Sequence, residues 1–161
     1  MIVIVMGVVG SGKTTIGSLL SSQLGWEFAD ADDYHPQSNV EKIRNGIPLT
    51  DEDREPWLDL LRQAIVAWIA AGKNVVLACS ALKRAYRTKL NAGSEVRFVY
   101  LKGSHALIAE RLRFRRGHFA GESLLSSQLA DLEQPESGVT IDIHDSPAQI
   151  VAQIKRILAI G

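Results

Sequence analysis

The chain has 161 residues, 46% of them hydrophobic, with 18 basic and 18 acidic side chains and a formal net charge of zero. That length suits one domain with a substantial core, and the balanced charge argues against duplex nucleic acid or an anionic membrane as partner. One cysteine, Cys79, rules out an intramolecular disulfide framework and suits a reducing, cytoplasmic setting.

The first element is "IVIVM" (2–6), an apolar, β-branched run expected of a strand buried on both faces. It is too short for a membrane span and lacks the basic start of a signal peptide. "MGVVGSGKTT" (6–15) follows, and Gly7, Gly12, Lys13 and Thr14 fit G-x-x-x-x-G-K-[ST]. In that pattern glycines let the backbone curl so that N–H groups meet phosphate oxygens. The lysine reaches the β- and γ-phosphates, and the threonine hydroxyl is a magnesium ligand. Ile16, Leu19, Leu20 and Leu24 then share one helical face. The loop therefore opens on a helix N-terminus, whose partial positive charge favours an anion.

"WEFAD" (26–30) reads as the second strand, and "DADDYHP" (30–36) leaves its end. Kinase chemistry needs one carboxylate near the acceptor hydroxyl, to orient it and accept its proton, and another to help hold magnesium through its waters. Asp30 and Asp32 are the candidates, while one of the three aspartates caps the helix that starts near Pro36. Residues 35–57 are polar and too long for a simple connection, so a helical substrate-binding insertion beside the cleft is expected there. It carries His35, Lys42, Arg44 and Arg54, of which Arg54 is the expected substrate contact.

The longest helix has Trp57, Leu61, Ala64, Ile65 and Trp68 on one face and Gly72 as its stop. Its start is either a capping box in "TDED" (50–53) or a later turn near Glu55, which Pro56 would suit. "NVVLACS" (74–80) is the third strand. "CSALKRAYR" (79–87) leaves it with Ser80 and Ala81 small enough for a ligand to approach. Lys83, Arg84 and Arg87 either place charge beside that ligand or form a basic solvated helix face.

"VRFVYL" (96–101) is the fourth strand. In "ERLRFRRGHF" (110–119), Arg111 and Arg115 lie four apart on one helical face, and Gly117 breaks the helix before a new helical pattern at Ser123. Arginines at the rim of a short lid, about 115–123, can close over ATP and stabilise charge on the transferred phosphoryl group. "VTIDI" (139–143) is the fifth strand, and Ser146 and Pro147 open the last helix. Apolar strands alternating with amphipathic helices predict an α/β fold, a parallel sheet with helices on both faces. Ligands in such sheets sit at the strand C-terminal ends, where every motif falls.

Together these pieces resemble the bacterial-type gluconokinases, small P-loop kinases of D-gluconate, nearly end to end. The likeness rests on "MGVVGSGKTT", "DADDYHPQSNVEKIRNGIPLTDEDREPWL", "ACSALKRAYR", "YLKG" (100–103), "RRGHF" and "SQLADLEQPE" (127–136). It implies a single domain over residues 1–161, a five-stranded P-loop NTPase fold of the nucleoside-monophosphate-kinase type. It also implies ATP and Mg2+ as cofactors, D-gluconate phosphorylated to 6-phosphogluconate, and a homodimer. By position, Gly10, Ser11, Gly12, Lys13, Thr14 and Thr15 hold the phosphates, Arg111 and Arg115 belong to the lid side, and Ser146 and Pro147 lie near adenine.

By analogy with the related shikimate kinases, Asp32 falls where the acceptor hydroxyl is held and Arg54 where the acid's carboxylate is clamped. His35, Ser80, Lys83, Arg87 and Gln128 complete the expected acceptor side, and Asp30 joins Thr14 at the metal. The expected catalytic set is Lys13, Asp32 and Arg115. One departure is Asp33 beside Asp32, where an apolar residue is common in the family. A shikimate kinase would show a glycine triplet where this chain has Cys79-Ser80-Ala81, and a GTPase would need an Asn-Lys-x-Asp motif, which is absent. The remaining reading of another class is a sensor that binds ATP without transferring phosphate.

Overall fold

In the computed structural model the alternating elements form one five-stranded sheet, parallel at every pairing, in the order β2-β3-β1-β4-β5. The structure describes residues 1–114 and 118–161, and of residues 118–123 the backbone alone. In chain order the elements are β1 (Ile2–Met6), α1 (Lys13–Leu24), β2 (Glu27–Asp30), a 3-10 turn (Ala31–Tyr34), α2 (Gln37–Arg44), α3 (Asp51–Ala70) and β3 (Val75–Ala78). They continue with α4 (Arg84–Leu90), β4 (Val96–Lys102), α5 (His105–Arg113), α6 (His118–Asp131), β5 (Val139–Asp142) and α7 (Pro147–Leu158). Strand β1 has β3 on one side and β4 on the other, with Ile2 level with both Val75 and Val96. The loop after β1 therefore opens at the middle of the sheet's carboxyl edge, where open α/β sheets bind ligands.

All five β1 side chains are fully buried, and their two-residue period splits them between two cores. Val3 and Val5 pack with Ile16 and Leu20 of α1, Ile108 of α5 and Ile150 of α7. Ile2, Ile4 and Met6 face the opposite layer, with Trp57, Leu61 and Ile65 of α3 and Leu90 of α4. Each such side chain contributes roughly 1.5–3 kcal/mol by leaving water. The continuous apolar run is thus a strand covered on both faces, as its sequence predicts.

Of the two possible starts for α3, the earlier one holds. Thr50 accepts from the Asp53 N–H, and the Asp53 side chain accepts from the Thr50 N–H, a complete capping box. Pro56 sits inside the helix, where it removes one main-chain donor. The helix stops at Gly72, which adopts φ 68, a left-handed turn that favours glycine. Strand β3 is shorter than the apolar run suggests. It ends at Ala78, although the Cys79 N–H still bonds the Val5 carbonyl at 3.0 Å, because the chain turns away with Ala81 at φ 43. Helix α6 begins at His118, ahead of the pattern expected from Ser123. Among the described residues no helix is long and apolar enough to cross a membrane.

Candidate active site

The cleft grows from the loop between β1 and α1. Helix α1 starts at Lys13 with Gly12 (φ 96) as its N-cap, and no side chain caps the first turn. The first N–H groups of a helix have no partner within it, so this uncapped end is a seat for an anion. Glycine is required on packing grounds at two loop positions. A Cβ on Gly7 would come within 2.6 Å of Ser11 Oγ, and one on Gly10 within 2.9 Å of Leu112. Gly10, Ser11, Gly12, Lys13, Thr14 and Thr15 all line the cleft, which has a volume of about 480 Å³. The Lys13 ammonium donates to the Val8 carbonyl at 3.1 Å, folding back over the loop. Gln128 of α6 reaches the loop from the other side, its Oε1 accepting from the Val9 N–H at 2.7 Å.

The end of β2 brings a carboxylate to this loop. Thr14 Oγ1 donates to Asp30 at 3.4 Å, and the other Asp30 oxygen accepts from the Asp32 N–H at 3.0 Å. Asp30 thus caps the 3-10 turn and faces the expected magnesium ligand at once. Among the described residues no three His, Cys, Asp or Glu side chains are grouped to hold a metal. Two hard oxygen donors beside an anion loop fit instead an ion carried in with phosphates, since Mg2+ takes few protein ligands and keeps its waters.

Asp32, His35, Arg54, Ser80 and Gln128 line the same cleft. Burial and the neighbouring Asp30 charge raise the Asp32 pKa, against the lowering effect of Lys13. His35 stacks on Trp57 with ring centroids 4.4 Å apart and planes 12° from parallel. The Trp57 indole donates to the Ala31 carbonyl at 2.7 Å, which ties α3 to the turn carrying Asp32. Burial, helped by the Arg54 charge, pushes the His35 imidazole down to about 4. Arg54 is itself buried, and its Nη1 donates to the Tyr86 hydroxyl at 2.9 Å and to Asp131 at 3.1 Å. Tyr86 in turn donates to Asp51.

Arg111 also lines the cleft, with Asp145 and Pro147, and its Nη2 donates to the Ile143 carbonyl at 2.7 Å.

Comparison with known proteins decides the family. The chain is 45% identical to a probable gluconokinase of Xenopus tropicalis over 96% of its own length and 92% of that protein. The chain belongs to the gluconokinase family. It is 49% identical to a gluconokinase of Gluconobacter oxydans (strain 621H), over 82% of this chain and 75% of that one. The family description "Shikimate kinase" matches residues 9–158. The solved structure of a sugar kinase from Janibacter sp. superposes with a TM-score of 0.93 at 44% identity, covering 99% of this chain and 95% of the other. The protein is therefore an enzyme of the gluconokinase family, with a P-loop kinase fold.

Several expected site residues stand elsewhere. Arg87 does not line the cleft. Its guanidinium donates inward to the carbonyls of Ala81, Leu82 and Glu133 at 2.8, 3.0 and 2.7 Å, bracing the turn after β3. Lys83 is also absent from the lining and pairs with Asp51 at 2.9 Å. Ser146 is the N-cap of α7, accepting from the Gln149 N–H, and its neighbour Pro147 is the one that meets the cleft. Arg115 and Gly117 lie outside the described residues. In the other direction, sequence reasoning assigned Trp57 to the core alone and gave Tyr86, Asp131 and Asn39 no part. Only Asn39 carried a usable local signal, four residues after His35 at a helix start.

Proposed function

We propose that the protein transfers the γ-phosphoryl group of ATP to the 6-hydroxyl of D-gluconate, giving 6-phospho-D-gluconate and ADP. The observation that carries this reading is that one continuous cleft joins the uncapped α1 terminus, Lys13 and Thr14 to Asp32, His35 and Arg54. Its first part fits a polyphosphate. The second offers a carboxylate for a hydroxyl and cationic or neutral donors for an acid's oxygens. The kinship with gluconokinases supplies the substrate class.

In this scheme the loop N–H groups and Lys13 hold the phosphates, and Thr14 and Asp30 hold Mg2+. When bound, the ion neutralises charge on the phosphate oxygens. Asp32 orients the acceptor alcohol and takes its proton as the O6–P bond forms and the bond from phosphorus to ADP breaks. Its raised pKa suits a base that must accept a proton late in a loose transition state. Arg54 presents its guanidinium to the acid's carboxylate, a pairing that arginine makes bidentately. His35, Ser80 and Gln128 face the remaining hydroxyls. The family kinship also carries a homodimer and a cytoplasmic location into this proposal.

Incubating the purified protein with ATP, Mg2+ and a panel of sugar acids, with ADP release and phosphorus NMR of the product as readouts, tests it. ADP release that depends on gluconate and a 6-phosphate ester are the expected results. ATP binding with no transfer to any acid would leave the sensor reading.

A further inference from the structure

We propose that Asn39 is a positioning residue that holds His35 as the neutral imidazole with its proton on Nε2, ready to donate to an acceptor-molecule oxygen. This rests on the proposed sugar-acid site. Asn39 lies in α2, one turn after His35, and is 2% exposed. A side-chain amide can be placed either way round, and only its partners decide. Here the partners do. Asn39 Nδ2 is 2.7 Å from the Asp53 main-chain carbonyl and 3.2 Å from His35 Nδ1. Exchanging the amide's ends would set an oxygen against the Asp53 carbonyl oxygen, acceptor against acceptor.

With the NH2 end in place, one proton goes to the Asp53 carbonyl and the other points at His35 Nδ1. That nitrogen must then offer a lone pair. A neutral imidazole carries one donor and one acceptor, so its proton sits on Nε2. An imidazolium would set an N–H against the amide N–H instead.

The rest of the arrangement holds these two groups still. Asp53 belongs to the α3 capping box, and its carboxylate is gripped by Lys42 at 2.9 and 3.0 Å, which fixes the carbonyl that orients Asn39. Trp57 stacks on the imidazole and fixes its plane. Nε2 has no hydrogen-bond partner among the described residues, while the ring lines the cleft. Burial and the Arg54 charge, which push the imidazole down to about 4, keep the same neutral form across the neutral range. His35 then reads an oxygen lone pair on the acid, beside the Arg54 guanidinium. The ligand this pair recognises is a polyhydroxy carboxylate rather than an amine or an apolar acid.

The test uses full-length protein labelled with 15N-histidine. Long-range 1H–15N correlations distinguish the two neutral tautomers and the imidazolium, and His35→Gln assigns the His35 signals among the four histidines. The expected wild-type spectrum at neutral pH shows His35 protonated on Nε2 alone. Asn39→Asp puts an acceptor against Nδ1, so His35 should shift to the Nδ1–H or charged form. The gluconate KM should then rise about 10-fold, with the KM for ATP within about twofold of wild type. His35→Gln, whose amide places a donor near the Nε2 position, should retain more gluconate affinity than His35→Ala.

A wild-type His35 that is protonated on Nδ1 overturns the proposal, and that spectrum decides even if Asn39→Asp fails to fold. A changed tautomer in Asn39→Asp with an unchanged gluconate KM overturns the donor role. An Nε2–H spectrum in a protein that phosphorylates no sugar acid would instead sink the proposed function and leave the tautomer assignment standing.

Discussion

Arg54, which lines the cleft, and Asp131 form an ion pair, Nη1 to Oδ2 at 3.1 Å, and so join α3 to α6. A sugar acid would bring a second carboxylate to the same guanidinium. The two roles of Arg54 can be separated. We predict that Arg54→Ala weakens gluconate binding by about 1.5–3 kcal/mol, the range for a hydrogen bond to a charged group, and leaves the KM for ATP nearly unchanged. Asp131→Asn keeps the guanidinium but removes its resident counter-charge. It should lower thermal stability by on the order of 1–3 kcal/mol, less than for a fully buried pair because Asp131 is 26% exposed. Gluconate should then stabilise this variant more than it stabilises wild type, as read from Tm with and without the acid. Equal losses of gluconate affinity in both variants would show that the pair is only a scaffold.

Lys13 is a different case, because its ammonium lies over the loop after β1, donating to the Val8 carbonyl at 3.1 Å, and not in the apolar core. We predict that Lys13→Ala folds normally and loses nearly all turnover, since in the proposed scheme the ammonium acts on the β- and γ-phosphates and not on the core. Circular dichroism alongside an ADP-release assay checks both halves. An unchanged rate would remove the loop from the mechanism.

The phosphate loop and the strands were legible in the sequence because each is a local pattern: a five-residue apolar run, fixed glycine spacing, a helix start. The "TDED" capping box was legible for the same reason, though only the structure chose it over a start at Glu55. The inward turn of Arg87 was not. Its partners are main-chain carbonyls at the turn after β3 and at Glu133, and side-chain identity does not reveal where carbonyls point. The Arg54–Asp131 pair spans 77 residues and depends on how α6 docks. Asn39 needed both kinds of information, a helical spacing to His35 and a distant carbonyl of Asp53.

The capping box that supports Asn39 has its own pH signature. Hydrogen bonds from Lys42 and the Thr50 N–H hold the Asp53 carboxyl at about 2, below its ordinary 3.8. A depressed carboxylate stabilises the fold fully above its unfolded pKa, and that contribution is lost as pH falls through the folded one. We therefore predict an acid-side loss of stability between about pH 4 and pH 2 that Asp53→Asn removes. Thr50→Ala should cost about 0.5–2 kcal/mol at neutral pH, as other N-cap truncations do. Urea unfolding across pH measures both. An unaltered acid profile in Asp53→Asn would assign the loss to other carboxylates.

Asp32 is the base of the proposed transfer, and its variants test that role. Its carboxylate lines the cleft near Asp30 and Lys13, and burial with the Asp30 charge raises its pKa. A base works only when deprotonated, so activity should fall as pH drops through that raised value. The acid limb of kcat/KM should therefore lie above the ordinary aspartate value of 3.8. Asp32→Asn keeps the shape and removes both the charge and the proton acceptor. General-base catalysis is typically worth ~10²- to 10⁴-fold, so kcat should fall by about that factor. ATP affinity should change little, because the proposed scheme gives the phosphates to the loop N–H groups and Lys13. Asp30→Asn should behave differently. Asp30 faces the Thr14 hydroxyl at 3.4 Å, so its defect should be partly relieved at high magnesium. Turnover and ATP affinity of both variants, measured across a magnesium titration, separate the two aspartates. Normal gluconate turnover by Asp32→Asn would take the base assignment away from this residue. A magnesium-relieved defect in Asp32→Asn, with none in Asp30→Asn, would exchange their roles.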